Sequence, residues 1–378
     1  MMGPVDSAEI PPRCSAEIDL GALRHNLYVC RQFAGPNCRL MAIVKADAYG
    51  HGLEKVTATL AGEVDWFGVA NLEEARQVHR STDGRETGIL VLSPATPWEI
   101  EAIVREGFSG SVSLTEEVEA YAEAARRSGC AARLHAVVDT GMGRMGSQPS
   151  AFPELVESIH SHPGCRLEGL ATHFPSADED AAFTHSQIGS FREIVTRCAP
   201  KSGCQVHLGN SAGILAFHGE TAFATLARPG LALYGISPIP SLGEALRPVL
   251  SLKTRVTLVR EVPAGSGISY GRTFVTPHPM RVATLAAGYA DGYPRHLSNS
   301  GAEVLIQGKR CPVLGRITMD QTVVDISSLD QVAAGEEVVL IGRQGEEWIS
   351  ATELAERAGT IPWEILTGLS TRVRRIYR

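Results

Sequence analysis

The chain has 378 residues, 44% of them hydrophobic and 20% charged, with a formal net charge of −7. That length suffices for one large domain plus a smaller one, each with its own core, and an acidic balance without long basic tracts speaks against a nucleic-acid partner and for a small-molecule enzyme. No apolar run approaches membrane-spanning length and the first dozen residues carry no basic-then-apolar leader, so the expectation is a soluble, cytoplasmic protein without a membrane partner. The eight cysteines form no CxxC pair and are too sparse for a disulfide scaffold, so reduced thiols are expected.

From about residue 39, short apolar or β-branched runs alternate with helical stretches. The predicted strands are RLMAIVKA (39–46), WFGVA (66–70), GILVLSP (88–94), SGSVSLT (109–115), ARLHAVVDTG (132–141), CRLEGLATHF (165–174), CQVHLGNS (204–211) and ATLARPGLALYG (224–235). Amphipathic segments such as NLEEARQVHR and TEEVEAYAEAARR separate them. Eight such units, most strands apolar almost throughout, predict a parallel (β/α)8 TIM barrel. After ISPIPSLGEALRP the pattern changes to strands divided by Gly and Pro turns, with little helix until SATELAERAG. The expected division is residues 1–245 for the barrel with an amino-terminal extension, and 246–378 for a β-rich carboxy-terminal domain.

A barrel of this kind carries its site at the carboxyl ends of its strands. Lys45 closes the first predicted strand, Arg144 follows the fifth, His173 closes the sixth, and Asn210 and Ser211 close the seventh. The ARPGL segment, Arg228 to Leu231, lies in the eighth. Only five lysines occur, Lys45, Lys55, Lys201, Lys253 and Lys309, and only Lys45 falls at the catalytic end of a buried barrel strand. Desolvation there lowers an amine's pKa from about 10.4 and makes it a usable nucleophile. Taken alone, a lysine at a strand end is more often one that snorkels to solvent.

The flanking residues reverse that balance. VKADAYGHG around Lys45 resembles the pyridoxal-phosphate attachment segment of the alanine racemase family. DTGMGRMG (139–146), THFPSADE (172–179), GNSAG (209–213), ARPGLALYG (227–235), SYG (269–271), GYADGY (288–293) and GRITMDQ (315–321) follow in the family's order. The resemblance implies a pyridoxal 5'-phosphate cofactor bound covalently by Lys45. Tyr49, Ser211 and the backbone of Gly230 and Leu231 would bind its phosphate. Arg228 would face the pyridine nitrogen, where an always-charged guanidinium keeps the ring a weak electron sink and favours proton return over transamination.

Racemisation needs one acid/base group on each face of a planar carbon. By resemblance these are Lys45 and, from the partner subunit of a homodimer, the residue corresponding to Tyr270. A free phenol is ionised in only about one part in a thousand at neutral pH. Positive charge is therefore needed nearby, and His173 backed by Arg228 would supply it. Arg144 and the Met319 N–H would bind the carboxylate of a small amino acid, with Tyr289, Arg295 and Asp178 lining the access corridor. The implied activity is interconversion of L- and D-alanine, the latter a peptidoglycan precursor.

Three positions depart from the family pattern. Val137 stands where many members carry a lysine that orients the arginine corresponding to Arg144, Thr318 replaces a cysteine, and Thr371 replaces a tyrosine that narrows the access. Serine or a broader set of amino acids is accordingly an alternative substrate. A decarboxylase of the same fold would carry a glutamate at Arg228, and a barrel-only pyridoxal-phosphate carrier would lack the carboxy-terminal strands.

Overall fold

The structure, a computed structural model, describes residues 10–82, 85 and 87–378. The chain divides into two compact units, one running from Gly21 to Arg247 and the other joining the segment before Gly21 to Pro248–Arg378.

The first unit is the barrel. A strand ahead of it, β1 (Cys14–Ile18), belongs to the other unit, and the barrel's eight strands are β2 (Arg39–Ile43), β3 (Trp66–Val69), β4 (Gly88–Val91), β5 (Ser109–Val112), β6 (Ala132–Val137), β7 (Cys165–Ala171), β8 (Gln205–His207) and β9 (Leu226–Ala227). They pair in parallel in the order β8-β7-β6-β5-β4-β3-β2-β9. The ends of this sheet approach through Thr225 N–H to Val206 O at 2.9 Å and Arg228 N–H to Gly209 O at 2.9 Å. All eight runs read from the sequence as barrel strands are therefore strands here. Their apolar continuity follows from burial on both faces, as in β5, where all four residues are buried. Helices that follow the strands are capped by side chains: Asn71 accepts from Glu74 N, Asp180 from Phe183 N, and Asn210 from Gly213 N. Such caps satisfy otherwise orphaned N–H groups and fix where the chain turns at the strand ends.

The second unit is mostly β. Its long strand β10 (Leu250–Val262) pairs antiparallel with β1, with β13 (Met280–Leu285) and with β17 (Glu337–Gln344). A small hairpin, β11 (Gly267–Ile268) with β12 (Phe274–Val275), precedes β13. The strands β14 (Glu303–Ile306) and β15 (Lys309–Pro312) form a second hairpin, β16 (Thr322–Asp325) pairs with β13, and β18 (Glu347–Ile349) pairs with β17. The last strand, β19 (Arg374–Tyr377), lies parallel to β1. The β14–β15 turn consists of Gln307 and Gly308, both at positive φ, the two-residue geometry that matches strand twist. Val262, Ile268, Met280, Val282 and Leu314 make a core cluster beneath the β11–β12 hairpin.

The amino-terminal segment was expected with the barrel. The physical reason it joins the β unit instead is pairing on both edges: Cys14 opposes Thr254 and Ile18 opposes Leu250 on one side, and Ser15 opposes Arg374 on the other. Ala16 and Ile18 are fully buried there. Among the described residues no helix is long and apolar enough to cross a membrane.

Candidate active site

Lys45 lies just beyond β2 rather than within it. Val44 N–H still reaches Gly68 O at 3.0 Å, but the ladder has ended at Ile43. Ala46, Asp47, Ala48 and Tyr49 then all take positive φ of 53–54°, a short left-handed turn built without glycine. Each such residue costs roughly 1–2 kcal/mol, so the turn persists only because its surroundings hold it. Glu74 accepts from Ala46 N–H and from Ala70 N–H, each at 2.8 Å, and Asp47 Oδ1 accepts from Leu53 N–H at 2.8 Å. The Lys45 amine is held below its ordinary pKa, first by burial and then by Arg144 and Arg228, with Glu74 opposing. It is thus an amine biased toward its nucleophilic form.

The turn delivers Tyr49 into the barrel, where its ring stacks on Tyr234 at 4.8 Å between centroids. Burial pushes its phenol up to about 12, so its hydroxyl stays protonated and can donate. A side chain at Gly230 would place a Cβ 2.9 Å from the Tyr49 hydroxyl, so only glycine leaves that space open. Ser211 Oγ accepts from Gly230 N–H at 3.0 Å and Ala232 N–H at 3.1 Å, which leaves its own proton to donate. Leu231 follows at the start of a single helical turn, Leu231–Tyr234. Tyr49, Ser211 and Gly230, expected together from the resemblance, are neighbours here, and the hydroxyl protons of Tyr49 and Ser211 are the donors left for an anion.

Arg228 is only 5% exposed. Its Nη1 lies 2.7 Å from His207 Nδ1, and its Nη2 lies 2.7 Å from Thr172 O, 3.3 Å from Leu208 O and 3.2 Å from His173 Nδ1. Arginine only donates, so His207 and His173 both accept at Nδ1, and each neutral ring carries its proton on Nε2. Burial, then Arg228, holds His173 down to about 3. His173 is thus a neutral imidazole whose Nε2–H is left to donate, with the positive charge residing on Arg228 behind it. Burial and then Arg144 lower Arg228 to about 10, so it remains a cation at neutral pH.

Arg144 sits in the loop after β6, which folds over Asp139: Gly141, Met142 and Gly143 all donate backbone N–H groups to that carboxylate. Gly146 N–H donates to Ser113 Oγ at 3.0 Å and ties the loop's far end to the residue that follows β5. Val137 is buried and supplies no charge. Asp139 and Ser113 fix this loop through its backbone N–H groups. Asp178 lies exposed in the turn after β7.

The remaining expected residues belong to the β unit. Tyr270 is 72% exposed on the turn of the β11–β12 hairpin, next to Ser269 and Gly271, both at positive φ. Ser269 Oγ donates to Arg316 O at 2.5 Å and anchors the turn. Tyr270 and Met319 share a cavity of about 720 Å³ with Thr318, Asp320, Asp291 and Arg372. Tyr289 N–H donates to Thr318 O and Ala290 N–H to Met319 O, so the GYADGY and GRITMDQ segments are bonded together. Thr318 Oγ donates to Gln321 O at 2.9 Å and closes its own turn. Thr371 is exposed beside Arg372, and Arg295 is exposed on a separate helical turn.

Sequence reasoning did not single out His207, Glu74 or Asp139. His207 had a usable signal, an imidazole inside an apolar barrel strand two residues before GNS, where an unpartnered polar group would be costly.

Residues 18–238 match the family model described as alanine racemase, N-terminal domain, and 249–377 match alanine racemase, C-terminal domain. The chain is 42% identical over 374 residues to the alanine racemase of Chlorobaculum tepidum, covering 97% of this chain and 96% of that protein. The solved alanine racemase of Streptomyces coelicolor A3(2) superposes with a TM-score of 0.89 at 38% identity, over 97% of this chain and 98% of that one. The alanine racemase of Bartonella henselae, whose crystal structure has covalently bound pyridoxal phosphate, gives a TM-score of 0.88 at 30% identity, over 97% and 100% of the two chains.

Proposed function

The chain belongs to the alanine racemase family of isomerases, and from that membership we propose that it racemises alanine with pyridoxal 5'-phosphate held by Lys45, using Lys45 and the partner subunit's Tyr270 as its two proton-transfer groups. Coenzyme fit is supported by chemistry already described. A buried amine of lowered proton affinity stands at one barrel mouth with a donor cluster of Tyr49, Ser211 and Gly230, which suits an aldehyde that also bears a phosphate. When bound, the coenzyme supplies an electron sink for the charge left as the substrate's α-proton departs.

The chain's own residues supply the rest. The Lys45 Nζ takes or returns a proton on one face, a role that its lowered pKa favours. Tyr270 Oη does so on the opposite face. Its position on an exposed hairpin suits a residue that serves a partner subunit's site rather than one buried for packing. The His173 Nε2–H donates toward that phenol and stabilises its anion, with Arg228 as the charge behind it. A guanidinium, rather than a carboxylate, at Arg228 also disfavours decarboxylation. Arg144 and the Met319 N–H hold the substrate carboxylate, and Tyr289, Arg295 and Asp178 line the approach. A free amino acid in the cytoplasm is the substrate source.

The observation that carries this reading is the lowered-pKa Lys45 paired with its donor cluster. Borohydride reduction of the purified protein should fix the coenzyme to one peptide, the one containing Lys45, and L-alanine should yield D-alanine without carbon dioxide. An adduct that survives Lys45→Ala would contradict the assignment; released carbon dioxide would indicate a decarboxylase, and no turnover a carrier.

A further inference from the structure

The network behind Arg228 extends farther than the proposed mechanism uses. We propose that Glu168 is a positioning residue for racemisation, acting through His135 and His207 to keep Arg228 aligned with His173. This rests on the function proposed above.

Strand β7 departs from regular pairing with β6 at one place: Leu134 opposes Leu167 and His135 opposes Gly169, so Glu168 is the residue that no β6 residue opposes. A bulge of this kind re-aims a side chain. A Cβ at Gly169 would strike the His135 ring, so the same stretch also makes room for that imidazole. His135 is fully buried, with the Trp66 ring edge-on at 5.1 Å. Its Nδ1 lies 2.8 Å from His207 Nε2. Its Nε2 is buried and makes no hydrogen bond among the described residues, while Glu168 Oε2 stands 4.0 Å away. Ser109 Oγ donates to that same carboxylate oxygen at 2.6 Å, and Arg133 lies 3.8 Å from its other oxygen, so the side chain is fixed in place with an oxygen turned toward His135.

The protons along this chain have one consistent arrangement. Arg228 requires His207 Nδ1 to accept, which puts the His207 proton on Nε2 and directs it at His135 Nδ1. The His135 proton must then sit on Nε2, facing Glu168. Both imidazoles are held neutral, chiefly by burial, so no second proton relaxes the constraint. Remove the carboxylate, and His135 can carry its proton on Nδ1. His207 would then have to accept at Nε2 and present an N–H to the guanidinium, which repels it from the site.

Histidine-selective ¹⁵N labelling of the holoenzyme reads the tautomers directly. In the unsubstituted protein His135, His207 and His173 should all show protons on Nε2. Glu168→Leu should move His135 and His207 toward Nδ1–H and lower kcat about 10- to 100-fold, while KM changes by less than about twofold. Glu168→Gln, which keeps an acceptor oxygen, should restore both readouts. An Nδ1–H tautomer at His135 in the unsubstituted protein overturns the proposal whether or not the leucine variant folds, and so does a folded Glu168→Leu with unchanged kcat. Absence of alanine racemisation in the unsubstituted protein would instead refute the function and leave the tautomer pattern standing.

Discussion

Arg228, His207 and His135 put one cation and two neutral imidazoles inside a barrel whose other strand residues are mainly apolar. Such groups are tolerated because hydrogen bonds join Arg228 to His207 and His207 to His135, and they impose a pH signature. His135 is held down to about 3 and His207 well below its ordinary value, both chiefly by burial. The unfolded chain therefore binds more protons than the folded one once the pH drops below about 6.5, and stability falls as the pH falls toward about 3. Each of these two histidines contributes a slope of up to about 1.4 kcal/mol per pH unit in that window. Urea unfolding followed from about pH 7 to about pH 5 should show this acid limb, and His135→Phe, though less stable at neutral pH, should flatten it by about 1.4 kcal/mol per unit. An unchanged slope in that variant would mean that His135 takes up its proton in the folded protein. Lys45, Tyr49, Ser211 and Arg228 could be singled out from the sequence because motif and strand-end position coincide at each. His135 and Glu168 could not, since which polar partners meet across the barrel is decided by strand register and the bulge in β7, which no local pattern reveals.

The left-handed turn from Ala46 to Tyr49 is the element on which the proposed coenzyme attachment depends. It aims Lys45 and Tyr49 into one site within five residues, at the expense of four unfavourable backbone conformations. Ala46 is exposed and its side chain contributes little packing. Ala46→Gly should therefore raise stability by about 0.5–1 kcal/mol, the relief of positive φ less glycine's entropy in the unfolded chain. Glu74→Ala should lower it by about 2 kcal/mol, because two backbone N–H groups lose their acceptor. Urea midpoints measure both, and a destabilised Ala46→Gly would show that the turn is unstrained. The apolar runs made the eight barrel strands legible, whereas this turn was not, because nothing in ADAY signals positive φ. Strands β1 and β19 were missed for another reason: each is short, and each gains its stability from pairing with strands distant in sequence.

Across the whole molecule, the residues of one proposed site are divided between two units, Lys45 and Arg228 in the barrel and Tyr270 and Met319 in the β unit. The order of units along the chain was legible from the change of periodicity near residue 245, but the amino-terminal strand's return to the β unit was not. If each site takes Lys45 from one subunit and Tyr270 from the other, activity belongs to the dimer. Chains carrying Lys45→Ala and chains carrying Tyr270→Phe should each be inactive, yet subunit exchange between them creates hybrids in which one of the two sites has both groups intact. Random exchange of equal amounts should restore about a quarter of the unsubstituted activity. Failure to recover any activity, with hybrid dimers demonstrated by mass spectrometry, would contradict a site shared between subunits.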